Sequence, residues 1–218
     1  MKTILSPSML SADFAYLERD LKKVEDAGAE WLHVDVMDGN FVPNITIGPD
    51  QVADLRKVVN IPFDVHLMIN HPLQYIERFA EAGSDIITVH YEVQDDTNAC
   101  IQLIRQCGAS PGLVLSPDTE TCVLEPYMDS IDMVLLMSVY PGFGGQSYIE
   151  RSTRRIREVR KMIGDRPVRL EIDGGINMET LPVVLEAGAD TIVSGSCLFK
   201  GNMHENIRRF REIIAQFE

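Results

Sequence analysis

The sequence lacks long apolar runs and has few cysteines, and both shortages narrow the possible classes of protein. No stretch approaches about 18 uninterrupted apolar residues, so we expect no membrane span, and the opening MKTILSPSML does not resemble a signal peptide. The cysteines form no C-x-x-C pair, which argues against a zinc ribbon or a dense disulfide framework. We therefore expect reduced thiols and a cytoplasmic location.

Positive charge is also scarce. The 218 residues include 20 Lys+Arg against 33 Asp+Glu, which gives a formal net charge of −13. Nucleic acids and anionic membranes bind basic surfaces, so we expect neither as a partner. An anionic small molecule is still compatible with this charge, provided that local donors bind it.

Strand and helix patterns alternate along the whole chain. Its length predicts one domain, residues 1–218. Strands are predicted at residues 4–9, 31–36, 61–68, 85–90, 111–115, 132–139, 168–173 and 190–193. Helices are predicted between them, including 13–27, 72–83 and 97–106, with a last helix over 204–217. Eight such units indicate a single (β/α)8 TIM barrel of the α/β class, and the absence of G-x-G-x-x-G after the first strand argues against a dinucleotide fold.

The stretch WLHVDVMDGNFVPN, residues 31–44, combines a core-like strand with polar side chains. Because strand side chains alternate, His33, Asp35 and Met37 share the face opposite Leu32 and Val34. An imidazole and a carboxylate on one face suit a divalent metal, and the carboxylate can also move protons. The alternative is a pair of hydrogen-bonded polar groups in the core.

Further polar groups end other predicted strands, and in a barrel the carboxyl ends of all strands face one mouth. The candidates there are Ser8, His33, Asp35, His66, His90, Met137 and Asp173, with Met37 and Met68 just beyond their strands. Two histidines and two aspartates could hold Zn²⁺ or a related ion. His90 could instead lie behind the ligands or in the core. The three methionines form either an apolar collar or core filling.

Three segments rich in small residues follow the last three predicted strands. They are Pro141 to Gln146 with Gly142, Phe143, Gly144 and Gly145; Gly174-Gly175; and Gly195-Ser196. Each could simply make a tight turn, but three adjacent loops favour a phosphate bound by backbone N–H groups. In barrels of this kind the loops after strands seven and eight are a common phosphate site.

No lysine ends a strand to form a Schiff base, and no Ser-His-Asp or G-x-S-x-G arrangement is present. Two aspartates from strands two and seven suit removal of a proton from one face of a carbon and its return on the other. A metal would stabilise an enediolate formed next to a carbonyl.

The segments LSPSMLSADF, HVDVMDGNFVPNITIGP, DVHLMI, PGFGGQSYI, EIDGGIN and VSGS resemble the ribulose-phosphate 3-epimerase family. The resemblance implies a metal-dependent isomerase of the pentose phosphate pathway that interconverts D-ribulose 5-phosphate and D-xylulose 5-phosphate. It implies one divalent ion per subunit, Zn²⁺ foremost and Fe²⁺, Mn²⁺ or Co²⁺ as alternatives, held by His33, Asp35, His66 and Asp173. The two aspartates would be the acid/base pair, Ser8 and His66 would lie near the substrate, the glycine-rich loops would contact the phosphate, and the chain would form a homo-oligomer.

One residue departs from the family pattern. Members often read TVNPGFGGQ, whereas this chain has Tyr140 before Pro141. A six-carbon ketose phosphate such as D-allulose 6-phosphate is therefore an alternative substrate. Two other classes are a phosphosugar decarboxylase, whose D-x-K-x-x-D pattern is missing at Asp35-Val36-Met37-Asp38, and a non-catalytic sugar-phosphate-binding barrel.

Overall fold

Eight parallel strands form one sheet in the computed structural model, which describes all 218 residues. The strands are β1 (Ile4–Pro7), β2 (Leu32–Met37), β3 (Phe63–Met68), β4 (Ile86–His90), β5 (Ser110–Leu115), β6 (Met133–Met137), β7 (Arg169–Asp173) and β8 (Thr191–Ser194). Their order is β1-β8-β7-β6-β5-β4-β3-β2, and a parallel bridge between Ser8 and His33 connects the two ends. The sheet is therefore a nearly closed barrel, which confirms the predicted fold class.

Helices follow the strands on the outside of the barrel. They are α1 (Leu17–Asp26), α2 (Pro49–Arg56), α3 (Ile76–Glu81), α4 (Thr97–Gln106), α5 (Arg151–Ile163), α6 (Thr180–Ala187), α7 (Ser196–Phe199) and α8 (Met203–Ile214). None of them combines the length and the apolar character that crossing a lipid bilayer requires.

Two predicted helices are shorter than expected because each begins with a 3-10 turn. The Asp13 side chain accepts a hydrogen bond from the Ala15 N–H and caps the turn Phe14–Tyr16, so the α-helix itself begins at Leu17. The turn Pro72–Gln74 precedes α3 in the same way. Between β5 and β6 the predicted helix is a 3-10 helix, Thr121–Tyr127, with Pro126 inside it. The short helix α7 was not predicted.

Side-chain alternation along β2 separates two kinds of interior. Leu32, Val34 and Val36 belong to the apolar core between the sheet and the helices. His33, Asp35 and Met37 are buried on the other face, inside the barrel. The strand register continues this layering, because His33 pairs with Asp64, Asp35 with His66, and Met37 with Met68. Along these two strands the interior of the barrel therefore contains a layer with His33 and Asp64, then a layer with Asp35 and His66, and, nearest the carboxyl ends, a layer of methionine.

Candidate active site

A cavity of about 270 Å³ opens at the carboxyl ends of the strands. Its lining includes all of the predicted site residues except His33, His66 and His90, which are fully buried. No lysine, arginine or histidine lines this cavity. A volume of this size lies at the lower end of the range for ligand sites and suits a small molecule.

Four side chains from three strands meet at the floor of the cavity. They are His33 and Asp35 of β2, His66 of β3 and Asp173 at the end of β7, and one ligand atom from each lies within 4.8 Å of the others. The register explains the placement, since Asp35 lies beside His66 and Asp173 beside Met137. The structure therefore brings the four predicted metal ligands together.

The atoms of this cluster that have no hydrogen-bond partner suit a divalent cation. Buried polar atoms are nearly always hydrogen-bonded, yet His33 Nε2 and His66 Nδ1 are buried without a partner. Asp35 Oδ1 lies 3.6 Å from the first of these nitrogens and 4.0 Å from the second. Asp35 Oδ2 is turned aside, because it accepts a 2.6 Å hydrogen bond from Ser8 Oγ. Two imidazole nitrogens and carboxylate oxygens form a donor set that Zn²⁺ and related ions accept.

Burial and neighbouring charges shift the pKa values of the metal-free cluster. Burial alone lowers the pKa of His33, but the carboxylates of Asp64, Asp35 and Glu171 outweigh it and raise that pKa well above its ordinary value. Burial, with smaller contributions from His90 and His33, lowers the pKa of His66 well below its ordinary value. Burial raises the pKa of Asp173 to about 7. Without a metal, we therefore expect His33 to be protonated at neutral pH and Asp173 to be protonated in a fraction of the molecules.

We expect the affinity for a divalent ion to fall steeply as the pH is lowered from 8 to 6. Binding must displace a proton from His33, whose pKa is raised, and one from Asp173, whose pKa is about 7. One to two displaced protons correspond to about a 10- to 100-fold loss of affinity per pH unit below 7. Titration calorimetry in buffers with different ionisation enthalpies measures the released protons directly, and equal affinity at pH 6 and pH 8 would contradict the prediction.

Each of the two histidines has a partner behind it. His33 Nδ1 lies 2.6 Å from Asp64 Oδ2 on the neighbouring strand, and burial raises the pKa of the adjacent Glu171 well above its usual range. His66 Nε2 lies 2.9 Å from His90 Nε2. Hydrogen bonds to the outer nitrogen fix the orientation of a ligating imidazole. His90 thus lies behind a predicted ligand, which was one of the two interpretations of this residue.

The walls of the cavity contain the predicted methionines and glycine-rich loops. Met37, Met68 and Met137 line it as an apolar collar, and the segments 142–145, 174–175 and 195–196 line it on the side of β6, β7 and β8. Gly175 has a positive φ of 69°, and a Cβ atom there would lie 2.3 Å from the backbone nitrogen of Tyr148. A side chain at this position is therefore excluded by the adjacent loop.

Side-chain hydrogen bonds hold these loops against one another. Ser138 Oγ donates to the carbonyl oxygens of Asp173 at 2.8 Å and Gly174 at 2.6 Å. Asn44 Nδ2 donates to the Gly142 carbonyl at 2.9 Å. The asparagine of the VPN segment thus connects the loop after β2 to the loop after β6.

Tyr140 turns away from the cavity. Its side chain is exposed, and its hydroxyl donates to Asp118 at 3.0 Å, next to Arg151. It is not among the residues that line the cavity. The departure from the family pattern at this position therefore provides no contact that would favour a six-carbon substrate.

Several residues of the site were not predicted. Leu10, Ser11, Ser147, Asn177 and Cys197 also line the cavity. A Cβ atom on Gly195 would lie 2.4 Å from the Ser11 hydroxyl, so the loops after β1 and β8 touch. Side-chain alternation along β3 puts Asp64 on the same face as His66, so the sequence did contain a signal for a second carboxylate inside the barrel.

The family model described as "Ribulose-phosphate 3 epimerase family" matches residues 4–199. The protein named ribulose-phosphate 3-epimerase of Bacillus subtilis is 50% identical over 198 residues, which cover 89% of this chain and 91% of that protein. The Escherichia coli protein of the same name is 44% identical over 199 residues, covering 90% of this chain and 88% of that protein.

Solved structures with lower sequence identity share the fold. KGPDC from Streptococcus mutans matches with a TM-score of 0.76 at 13% identity, covering 100% of this chain and 99% of that chain. The 3-hexulose-6-phosphate synthase of Salmonella typhimurium matches with a TM-score of 0.72 at 17% identity, covering 100% of both chains. At such identities the likeness concerns the barrel alone.

Proposed function

Because the chain belongs to the ribulose-phosphate 3-epimerase family, we propose that it is an isomerase that interconverts D-ribulose 5-phosphate and D-xylulose 5-phosphate at C3. The observation that carries the proposal is the meeting of four ligand-type side chains, including two aspartates, at the floor of one small cavity. A ketose phosphate would place its carbon chain above this floor and its phosphate among the glycine-rich loops.

Asp35 and Asp173 are proposed as the two groups that move the proton. Inverting a carbon requires removal of its proton from one face and delivery of a proton to the other face. The two carboxyl groups come from β2 and β7, which β1 and β8 separate in the barrel, so they approach a molecule in the cavity from different walls. The hydrogen bond from Ser8 orients Asp35.

A divalent ion is proposed as the cofactor, held by His33, Asp35, His66 and Asp173. When bound, it would stabilise the negative charge that develops on substrate oxygens as C3 loses its proton. The mixed nitrogen and oxygen donors suit Zn²⁺ first, with Fe²⁺, Mn²⁺ and Co²⁺ as alternatives. A role in the pentose phosphate pathway, a cytoplasmic location and a homo-oligomer stay predictions from the sequence and its family resemblance.

Exchange of the C3 hydrogen with solvent deuterium tests the reaction. We expect D-ribulose 5-phosphate, incubated with the metal-loaded protein in D₂O, to give both epimers labelled at C3 only. D-allulose 6-phosphate in a parallel incubation tests the six-carbon alternative. Release of carbon dioxide from a phosphosugar acid would instead indicate a decarboxylase, and absence of label from both ketose phosphates would overturn the proposal.

Phosphate recognition is proposed to rely on neutral donors, because no lysine or arginine lines the cavity. Backbone N–H groups in glycine-rich loops bind anions without a charged side chain.

Replacing Gly145 by valine should raise KM for the phosphorylated ketose by about tenfold or more, because strain of roughly 1–3 kcal/mol at its positive φ would be relieved by movement of the loop. Its φ is 76°, and no atom lies within 4 Å of the position that a Cβ atom would take. Gly201→Val is the matched control, since Gly201 has the same φ and the same open surroundings away from the cavity. Steady-state kinetics of both variants measure the effect, and equal KM values would contradict the role of this loop.

A further inference from the structure

A chain of hydrogen bonds leads from the floor of the cavity to a carboxylate that no part of the proposed reaction uses. His66 Nε2 lies 2.9 Å from His90 Nε2, and His90 Nδ1 lies 2.9 Å from Glu92 Oε2. Both imidazoles are fully buried, whereas the Glu92 side chain is 25% exposed. The three residues connect β3, the end of β4 and the segment that follows it.

The direction of the proton in each hydrogen bond follows from the two ends of the chain. A metal ligand must offer a lone pair, so His66 Nδ1 has to be unprotonated and the proton has to reside on Nε2. That proton requires an acceptor, which means that His90 Nε2 must present a lone pair. His90 then carries its own proton on Nδ1, and only an acceptor can lie opposite it.

Glu92 is held as such an acceptor. Its Oε1 atom receives the Ser116 N–H at 2.9 Å and the Thr119 hydroxyl, which leaves Oε2 facing His90. Burial acts to raise the pKa of Glu92, but the hydrogen bonds from His90, Thr119 and Ser116 outweigh it and lower the pKa to about 2. The only other polar side-chain atom near His90 Nδ1 is Ser116 Oγ, at the longer distance of 3.4 Å.

The other histidine of the cluster does not need an intermediate. His33 Nδ1 meets the carboxylate of Asp64 directly at 2.6 Å, so its tautomer is set in one step. His66 faces a second imidazole, which can accept or donate at Nε2 according to where its own proton lies. The carboxylate of Glu92, on the far side of His90, determines which nitrogen of His90 carries the proton.

We propose that Glu92 is a positioning residue for the metal ligand His66 and acts through His90, whose Nδ1–H tautomer it selects. The inference rests on the proposed metal site. It adds Glu92 and His90 to the residues on which metal affinity depends.

Glu92→Gln tests the proposal with little change of shape. Ser116 N–H and the Thr119 hydroxyl both need an acceptor, so the amide oxygen would face them and the amide NH₂ would face His90 Nδ1. That arrangement favours a proton on His90 Nε2 and, in turn, one on His66 Nδ1, where the metal should bind. We expect the Kd for Zn²⁺ or Mn²⁺, measured by competition with a chelator, to rise about 10- to 100-fold.

Asp95→Asn is the matched control. Asp95 pairs with Nδ1 of His71 at 3.0 Å and also accepts the Leu73 N–H, but this histidine is 47% exposed and lies outside the cluster. The same change of carboxylate to amide beside an imidazole should leave the Kd for the metal within about twofold. The melting temperature of both metal-free variants separates a loss of affinity from a loss of folding.

A double-mutant cycle tests whether Glu92 acts through His90. In His90→Gln the amide oxygen can accept from His66 Nε2 regardless of residue 92, so adding Glu92→Gln should change the Kd less than about twofold. An undiminished loss in that background, or no loss from Glu92→Gln alone, would overturn the proposal while leaving the metal site intact. Failure of the unmodified protein to bind any divalent ion would overturn both.

Nitrogen-15 spectra of histidine provide a readout that does not depend on a variant folding. In the unmodified, Zn²⁺-loaded protein we expect the proton of His90 on Nδ1 and that of His66 on Nε2. The opposite tautomer of His90 would overturn the proposal even if Glu92→Gln proved unstable.

Discussion

Replacing Asp173 or Asp35 by asparagine should lower kcat by a thousandfold or more, which corresponds to about 4 kcal/mol of transition-state stabilisation. Each carboxyl group is proposed both to transfer a proton and to bind the metal, so the two losses coincide. An amide of the same shape can neither accept nor deliver the proton. Rates of epimerisation, measured with the metal content of each variant determined in parallel, test this expectation.

The two variants should also differ from each other. If each aspartate serves one face of C3, a variant that lacks one of them can still exchange the hydrogen of a single epimer with solvent deuterium while failing to interconvert the pair. Asp118→Asn is a control, because Asp118 lies outside the cavity against Tyr140, and its kcat should stay within about twofold of the parent value. Near-parent rates in both Asp35→Asn and Asp173→Asn, with metal retained, would contradict the two-base mechanism.

The barrel could be predicted from the sequence because its signals are local. Apolar alternation, helix caps and Ala-Gly helix ends recur along the chain, and the helix predicted over residues 97–106 has the same bounds in the structure. Asp96 caps it through the Ala99 N–H, a signal that spans three residues. The predicted strands overlap the observed ones, with ends that differ by up to two residues.

The cluster at the cavity floor could be anticipated for a different reason. Period-two alternation orients His33 and Asp35 to one face of β2, and the barrel fold directs all strand ends to one mouth. That their ligand atoms lie within 4.8 Å of those of His66 and Asp173 depends on the register of β2 with β3 and on the closure of the sheet. The distances between the four ligand atoms therefore follow from strand register and barrel closure, and no local sequence pattern determines them.

The residues that were missed depend on contacts between distant segments. His90 is only two residues from Glu92, but Ser116 and Thr119 contact Glu92 because the segment after β4 lies against the segment after β5. Ser11 approaches Gly195 because β1 and β8 are neighbours. Helix α7 has four residues, too few for a periodic apolar pattern to be detected. For Glu92 and Ser11, the sequence shows the residue type but not the partner.

The two faces of β3 have different surroundings, and this difference determines the expected effect of removing the His66 side chain. Leu67 and Val65 point into the core between sheet and helices, whereas His66 points into the barrel with its Nδ1 atom unpartnered. Removing the imidazole therefore leaves the main apolar core unchanged. It deletes one of two nitrogen donors from the proposed metal site.

We expect His66→Ala to lose its divalent ion on dialysis, and with it essentially all activity, while retaining a cooperative thermal unfolding transition. The remaining His33, Asp35 and Asp173 offer three donors where four are proposed, and a vacated position fills with water, which binds a metal less strongly than imidazole does. His71→Ala is the matched control, since His71 is half exposed and pairs with Asp95 away from the cavity. Elemental analysis of both purified variants tests this prediction. A parent-like metal content in His66→Ala would remove this histidine from the site, and equal metal loss in both variants would contradict a specific role of His66 in metal binding.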